Sequence, residues 1–368
     1  MTVVSGTFSG QRHFNIPIFI PHLGCPYDCI YCDQKIIANQ AAAPSCDQVR
    51  IIIEQHLNTI PADAWTEVAF FGGSFTAISL SQQENYLSPV QPFLEQGRLK
   101  GIRISTRPDC IDADNLDLLM SYGVSTVELG VQSMNDQVLK ASGRGYDSRA
   151  VREACTQIKR KGLQLVVQLM VGLPGDTHQR DIASAREAAS LQPQAVRIYP
   201  TLVLAGTKLA AMYKENRYTP LGLEEAVHIT KEMYLIFCRF DIPVIRMGLY
   251  PGEDLRRPGI VQAGPFHSSF GELVEQAVFQ EQAHRAIQSF RASNGVGQEL
   301  CLYVNPRDMS KLIGHRRSNI ISLSQLLGLE RIEVRSCADQ VRGSVGVGQG
   351  NGPARCLLSR RQYLEDRS

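Results

Sequence analysis

The sequence predicts an α/β protein: a series of six parallel βα units followed by a small α+β module. Three observations carry this. From residue 14 onward short apolar runs alternate with helical patterns, the rhythm that parallel βα units impose. The second run, "EVAFFGGS" (Glu67 to Ser74), breaks off in paired glycines, as a strand does at a tight turn into the next element. After residue 297 the rhythm changes to one strand, two short helices about a turn, and one strand.

In chain order, "FNIPIFIP" is the first strand and "EVAFFGGS" the second. "GIRISTRPD", "TVELGVQS", "LQLVVQLMVGLPG" and "AVRIYPT" are the third to sixth, with helices such as "DADNLDLLMSYG" and "SRAVREACTQIKRKG" between them. A later run, "IPVIRMGLY", is a candidate for pairing at the sheet edge. "AGPFHSSFGELVEQAVFQEQAHRAI" reads as a loop and then a helix, and "ELCLYVNPRDMSKLIGHRRSNIISLSQLLGLERIEVRS" as β-α-turn-α-β. The stretch from Ala338, with "GSVGVGQGNGP", is Gly-rich and polar and reads as a disordered tail. The expected organisation is an N-terminal segment at 1–13, a core at 14–255, a linker and helix at 256–297, the small module at 298–337 and the tail at 338–368.

Composition narrows the functional classes. The chain has 368 residues, 43% hydrophobic and 20% charged, which is globular rather than disordered or fibrous. No run of about 18 uncharged apolar residues exists, so no membrane span is expected. The start, "MTVVSGTFSGQRHFNIP", lacks a basic n-region leading into an apolar core, so a cytoplasmic location is expected. Thiols there stay reduced, which argues against disulfides. The formal net charge of +2 is close to neutral, so any basic surface must be local.

Three of the ten cysteines crowd into "GCPYDCIYC", at Cys25, Cys29 and Cys32. A structural zinc site wants four ligands, usually as two separated pairs; His22 or Asp33 could complete one locally. The other reading is a 4Fe-4S cluster with three irons held by thiolates and the fourth left open for a small molecule. The remaining cysteines are scattered, and Cys155 and Cys238 lie in apolar helical patterns where a buried thiol is the ordinary outcome.

The cysteine spacing, with Tyr31 just before the last of them, resembles the signature of radical S-adenosyl-L-methionine (SAM) enzymes. That resemblance implies a partial TIM-like (βα)6 barrel with ligands at the carboxyl ends of the strands. It implies a 4Fe-4S cluster on Cys25, Cys29 and Cys32, SAM bound to the open iron, and reductive cleavage to a 5′-deoxyadenosyl radical. It also implies an electron donor such as ferredoxin or flavodoxin. Carried over residue by residue, Gly72 and Gly73, with Ser74 beside them, would meet the SAM amino group. Gln132 and Gln168 would meet the ribose, and the turn containing Gly172, Leu173 and Pro174 the adenine. Arg144 matches an arginine that meets the SAM carboxylate. Each has a plainer reading beside it: a strand-to-helix turn for the glycines, a structural hydrogen bond for each glutamine, an exposed loop residue for Arg144. The sequence names no catalytic side chain.

"FFGGSFT", "STRPD", "ELGVQS", "LMVGLPG" and "RIYPTLVLAGTKLAAMY" resemble, more narrowly, the radical SAM domain of the elongator catalytic subunits, which modify the wobble uridine of tRNA. The resemblance covers roughly residues 14–250. The cysteine spacing here is tighter, and no acetyltransferase pattern follows. "LIGHRRSNI" resembles the turn of KH RNA-binding domains, with Ile313, Gly314 and Ile320 matching and Arg317 in place of the second glycine. His315, Arg316 and Arg317 are the candidate phosphate contacts; a solvated basic turn is the plainer reading. The substrate expected is tRNA or another RNA. The alternatives are a small metabolite such as a porphyrin precursor, since "ELGVQS" and "GLPG" also resemble the oxygen-independent coproporphyrinogen oxidases, or a redox-sensing RNA-binding protein with a structural cluster.

Overall fold

The computed structural model describes residues 7–8, 11–33, 42–249, 252–295, 297–349 and 352–367. Most of the expected N-terminal segment lies outside these. The chain divides into two compact units, Met1–Ala226 with Ile236–Ser268, and Val227–Leu235 with Ser269–Ser368. The helix Leu223–Arg239 contributes residues to both.

The first unit is built on one sheet. Its strands are β1 (Thr7–Phe8), β2 (Gln11–Phe19), β3 (Trp65–Phe71), β4 (Gly101–Thr106), β5 (Val124–Gln132), β6 (Gln164–Val171) and β7 (Ala195–Pro200). Then come β8 (Val203–Leu204), β9 (Val244–Met247) and β10 (Val261–Ala263). Eight of them order as β1-β2-β3-β4-β5-β6-β7-β9. β1 is antiparallel to β2, and all the other neighbours are parallel. The chain is therefore an α/β fold with a curled parallel half-barrel of seven strands. The seventh is the "IPVIRMGLY" run, which adds to β7 at the edge. β8 and β10 form a separate two-stranded ribbon.

Each central strand is a near-continuous apolar run because helices cover the outside and the half-barrel encloses the inside. Ile16 and Ile18 on β2, Val68 and Phe70 on β3, and Ile102 and Ile104 on β4 are all fully buried. The inward positions depart from this rule. His13, Glu67, Arg103, Glu128 and Arg197 come from five different strands, and all are less than 9% exposed. They join in a chain of one hydrogen bond and three ion pairs: His13 Nε2 to Glu67 Oε2 at 2.8 Å, then Arg103 to Glu67 at 3.1 Å, Arg103 to Glu128 at 3.0 Å, and Arg197 to Glu128 at 2.9 Å. Burial alone would push the Glu67 carboxyl up; the bonds from His13 and Arg103 outweigh it and hold it below its ordinary value.

The second unit carries β11 (Glu299–Val304), β12 (Arg331–Ser336), β13 (Val345–Gly348) and β14 (Cys356–Leu358), in the order β12-β11-β13-β14. β11 and β12 are parallel, as expected when two short helices, Met309–Ile313 and Ser318–Leu327, connect them. The stretch read as a disordered tail is instead structured: β13 pairs with β11 and β14, and the helix Arg360–Glu365 closes the chain. The sequence there, Val-Gly-Val-Gly, has a strand's period of two. Val345 and Val347 are fully buried. On the other face a β-carbon at Gly346 would stand 3.2 Å from Tyr303 Cβ, and one at Gly348 would stand 3.3 Å from the Tyr303 ring. Closer still, the Gly346 β-carbon would stand 2.9 Å from Ala354 Cβ and the Gly348 one 2.8 Å from Pro353 O; the glycines signal close approach of a neighbouring segment and a cross-strand tyrosine, not disorder.

Candidate radical SAM site

The cysteine loop lies at the carboxyl end of β2 and is held on three sides. Gly72 O accepts from His22 N (3.0 Å), and Ser74 N donates to Leu23 O (2.9 Å), which ties the loop to the turn after β3. Ile30 N donates to Ser142 O (3.3 Å), and Leu209 N donates to Ile30 O (2.7 Å). The two glycines of the turn serve different ends. Gly72 has φ +93°, a conformation that side chains rarely adopt. Gly73 is needed for closeness: a β-carbon there would sit 2.6 Å from Ile20 O and closer still to Leu23 O. Gly24 presses back in the same way, its own β-carbon colliding with Ser74 O.

Cys25, Cys29 and Cys32 all line one cavity of about 950 Å³ inside the half-barrel. Among the described residues, no three His, Cys, Asp or Glu side chains are drawn together around a single point. His22 and Asp33, the candidates for completing a zinc site, face each other at 4.0 Å. Burial, and then the neighbouring Cys29, push the Cys25 thiol up.

Of the other expected ligand contacts, Gly72, Gly73, Gln132, Gln168 and Arg144 line this same cavity. Gln132 ends β5 with φ +68°, left-handed and buried, beside a register shift against β6. Such a backbone costs about 1–3 kcal/mol and persists only when its surroundings impose it. Its side chain lies 3.4 Å from that of Gln168. Ser74, Gly172, Leu173 and Pro174 are not among the residues that line the cavity. Ser74 Oγ is taken by Thr106 (3.2 Å), and Leu173 is buried in an apolar cluster with Tyr31, Met170 and Val203. Gly172 O accepts from Tyr218 (2.7 Å), and behind the turn Asp176 and Asp181 are both pushed up, first by burial.

Arg144, read as either an exposed loop residue or a ligand contact, is buried at 6% exposure. It donates to Tyr146 OH (2.8 Å), Tyr31 OH (3.2 Å), Gly130 O (2.6 Å) and Cys29 Sγ (3.1 Å). Among the described residues no carboxylate pairs with it. Burial pushes the Tyr31 phenol well up and that of Tyr146 up to about 12, so neither supplies a counter-charge. Arg107, in the "STRPD" stretch but outside the expected ligand contacts, also reaches Cys29 Sγ, at 3.7 Å, while Asp109 holds it at 2.9 and 3.0 Å. A buried guanidinium without a carboxylate is costly unless an anion completes it. A cluster on three thiolates is net anionic, so the residues present fit such a group.

The geometry defines a class: a parallel half-barrel whose strand ends present a three-cysteine loop, a close-packed glycine turn and uncompensated arginine charge to one cavity. The comparisons agree with it. Residues 19–187 match the Radical SAM superfamily and residues 193–280 the Radical SAM C-terminal domain. The chain belongs to the radical SAM superfamily, whose enzymes use a 4Fe-4S cluster and SAM. It is 29% identical over 256 residues to a tRNA uridine(34) acetyltransferase of Dehalococcoides mccartyi, covering 60% of this chain and 55% of that one. It is 29% identical to an uncharacterized protein of Methanocaldococcus jannaschii, covering 60% of this chain and 70% of that one. It is 30% identical to Elongator complex protein 3 of Homo sapiens, covering 47% and 31%. The match thus spans little more than half of the first relative and about a third of the human one. Among solved structures, the archaeal Methanocaldococcus infernus Elp3 superposes with a TM-score of 0.58 at 24% identity, covering 75% of this chain and 64% of that one, a likeness of fold. No helix of the described residues is long and apolar enough to cross a membrane.

Proposed function

We propose that Cys25, Cys29 and Cys32 hold the 4Fe-4S cluster, that SAM lies against Gly72, Gly73, Gln132 and Gln168, and that the enzyme acts on tRNA or another RNA. Bound there, the cluster and SAM supply a 5′-deoxyadenosyl radical on one-electron reduction by a donor such as ferredoxin or flavodoxin. The chain's own part is to seat these groups in a lined cavity and keep water from the reacting atoms. A cytosolic location accords with this reading, and the relatives named for tRNA uridine(34) support the substrate class.

The observation that carries the RNA reading lies in the second unit. Gly314 to Arg317 form the turn between the helices Met309–Ile313 and Ser318–Leu327. Arg316 (φ +50°) and Arg317 (φ +64°) are both left-handed and exposed. Arg317 occupies the place of the second glycine in the KH-like pattern and takes a glycine's conformation. The turn is braced from below: His315 N donates to Gln276 Oε1 (3.2 Å), and Asn319 Nδ2 donates to Gln276 O (2.9 Å) and Lys311 O (3.1 Å). Strain held in two adjacent exposed arginines points to a use for their side chains.

Changing Arg316 and Arg317 together to Glu tests this. Filter binding of tRNA at several salt concentrations should show affinity lower by an order of magnitude or more, with a salt slope shallower by nearly two units. Cleavage of SAM in the absence of RNA should be unaltered. Wild-type protein that binds no tRNA, or a variant that binds it equally well, would turn the reading toward a small-metabolite substrate.

A further inference from the structure

Arg144 is the residue that the family resemblance assigns to the SAM carboxylate, but its hydrogen bonds leave little to offer. A guanidinium has five N–H groups. Nε is spent on Tyr146, Nη1 on Cys29 and Tyr31, and one hydrogen of Nη2 on Gly130 O. One N–H remains, too few for the two-pronged grip by which arginine holds a carboxylate.

Arg107 is built into the same place. Its guanidinium is fixed by two bonds to Asp109 and one to Arg144 O, and it stacks on the Tyr27 ring (4.9 Å) and the Tyr146 ring (5.2 Å). Arg144 lies 5.0 Å from the Tyr146 ring. Both arginines are less than 7% exposed, and what they share is Cys29 Sγ.

We propose that Arg107 and Arg144 are positioning residues for the Cys29 thiolate, holding its sulfur between two guanidiniums and favouring the reduced, more anionic state of the cluster. This rests on the reading of Cys25, Cys29 and Cys32 as cluster ligands. Hydrogen bonds and positive charge at a ligating sulfur stabilise added negative charge, so they raise the reduction potential. Asp109 keeps Arg107 oriented and offsets part of its charge. Arg144, with no carboxylate partner among the described residues, keeps its charge for the site.

The test uses the full chain, reconstituted anaerobically, in four forms: wild type, Arg107→Gln, Arg107→Lys and Arg144→Lys. Iron per chain, midpoint potential by EPR-monitored titration, and SAM affinity by equilibrium dialysis are measured for each. Arg107→Gln should make the reduction equilibrium at least tenfold less favourable, a midpoint lower by about 59 mV for one electron. Arg107→Lys, which keeps the charge, should recover most of that shift. Arg144→Lys should bind SAM within about threefold of wild type. If Arg107→Gln folds but takes up no iron while Arg107→Lys loads fully, the charge is needed for assembly itself, which supports the proposal. An unmoved midpoint in Arg107→Gln overturns it, as does a tenfold loss of SAM affinity in Arg144→Lys at normal potential. So does failure of both Arg107 variants to load despite a native circular dichroism spectrum. Cys29→Ala is the control on the underlying reading: if it retains the cluster, the ligand assignment is at fault, not the arginines.

Discussion

Gly73→Ala separates two uses of the glycine turn. The backbone of Gly73 is not in the left-handed region, so alanine can adopt it; only closeness forbids the methyl. That methyl would lie 2.6 Å from Ile20 O and nearer to Leu23 O. Both are backbone oxygens, which cannot swing aside as a side-chain end can. The cysteine loop has to lift, and lifting it strains the bonds Ser74 N to Leu23 O and His22 N to Gly72 O. Two backbone hydrogen bonds at about 1 kcal/mol each, with about 1–3 kcal/mol for overpacking, put the local cost at roughly 3–5 kcal/mol. The cost falls on the loop, not on the sheet, whose pairing does not involve residue 73. Iron bound after reconstitution should therefore fall to less than half of the wild-type value. The apoprotein should lose stability in urea melts by no more than this local cost, with an unchanged m-value, and limited proteolysis should cut more readily between residues 20 and 33. Had glycine been needed only to make room for the SAM amino group, iron would be retained and SAM would bind about tenfold more weakly, roughly 1.4 kcal/mol. That result would refute the packing argument.

Two other substitutions test the buried charges and the strained turn. Glu67→Gln breaks the chain between His13 and Arg103 and should cost about 3–5 kcal/mol at neutral pH. Because the folded Glu67 carboxyl is held below its unfolded value, its contribution is present above about pH 4.3. It is lost as pH falls through the folded value, so the gap between wild type and variant in thermal melts should close on acidification; a gap that widens would contradict the sign. Arg317→Gly removes a left-handed non-glycine residue and should stabilise the fold by about 1 kcal/mol while weakening tRNA binding; unchanged stability would show that the turn stores no strain.

Much of the fold was legible because its elements carry their own local signals. The six apolar runs became β2 to β7, and the seventh parallel strand, β9, was visible as a run whose placement sequence alone left open. Glycine content masks the strand β13: Val345 and Val347 alternate with Gly346 and Gly348, and the glycine face is covered by Pro353 and Ala354, just before β14, together with Tyr303, some forty residues away on β11. A charged residue inside an apolar strand was the other available signal. Arg103, Glu128 and Arg197 each interrupt a buried run on an inward position, and an unpaired charge there would be prohibitive. Three such residues of alternating sign, spread over parallel strands of one sheet, therefore imply mutual contact from the sequence pattern itself.

The site divides along the same line. Cys25, Cys29 and Cys32 stand within eight residues, so their chemistry is written in one loop. The groups around Cys29 are not: Arg107 is 78 residues away and Arg144 is 115. Only the order of the strands brings them together, since β4 and β5 are neighbours and their carboxyl ends open toward the loop that follows β2. In sequence, "STRPD" and "SGRGY" are two turn-like stretches with an arginine each, and solvent is the usual place for such a side chain. Burial reverses that expectation. Both guanidiniums pack against Tyr146, and among the described residues Asp109 is the single carboxylate bonded to the pair. The remaining positive charge has to be answered by something else in the cavity, and the sulfur that both arginines face becomes anionic when it binds iron.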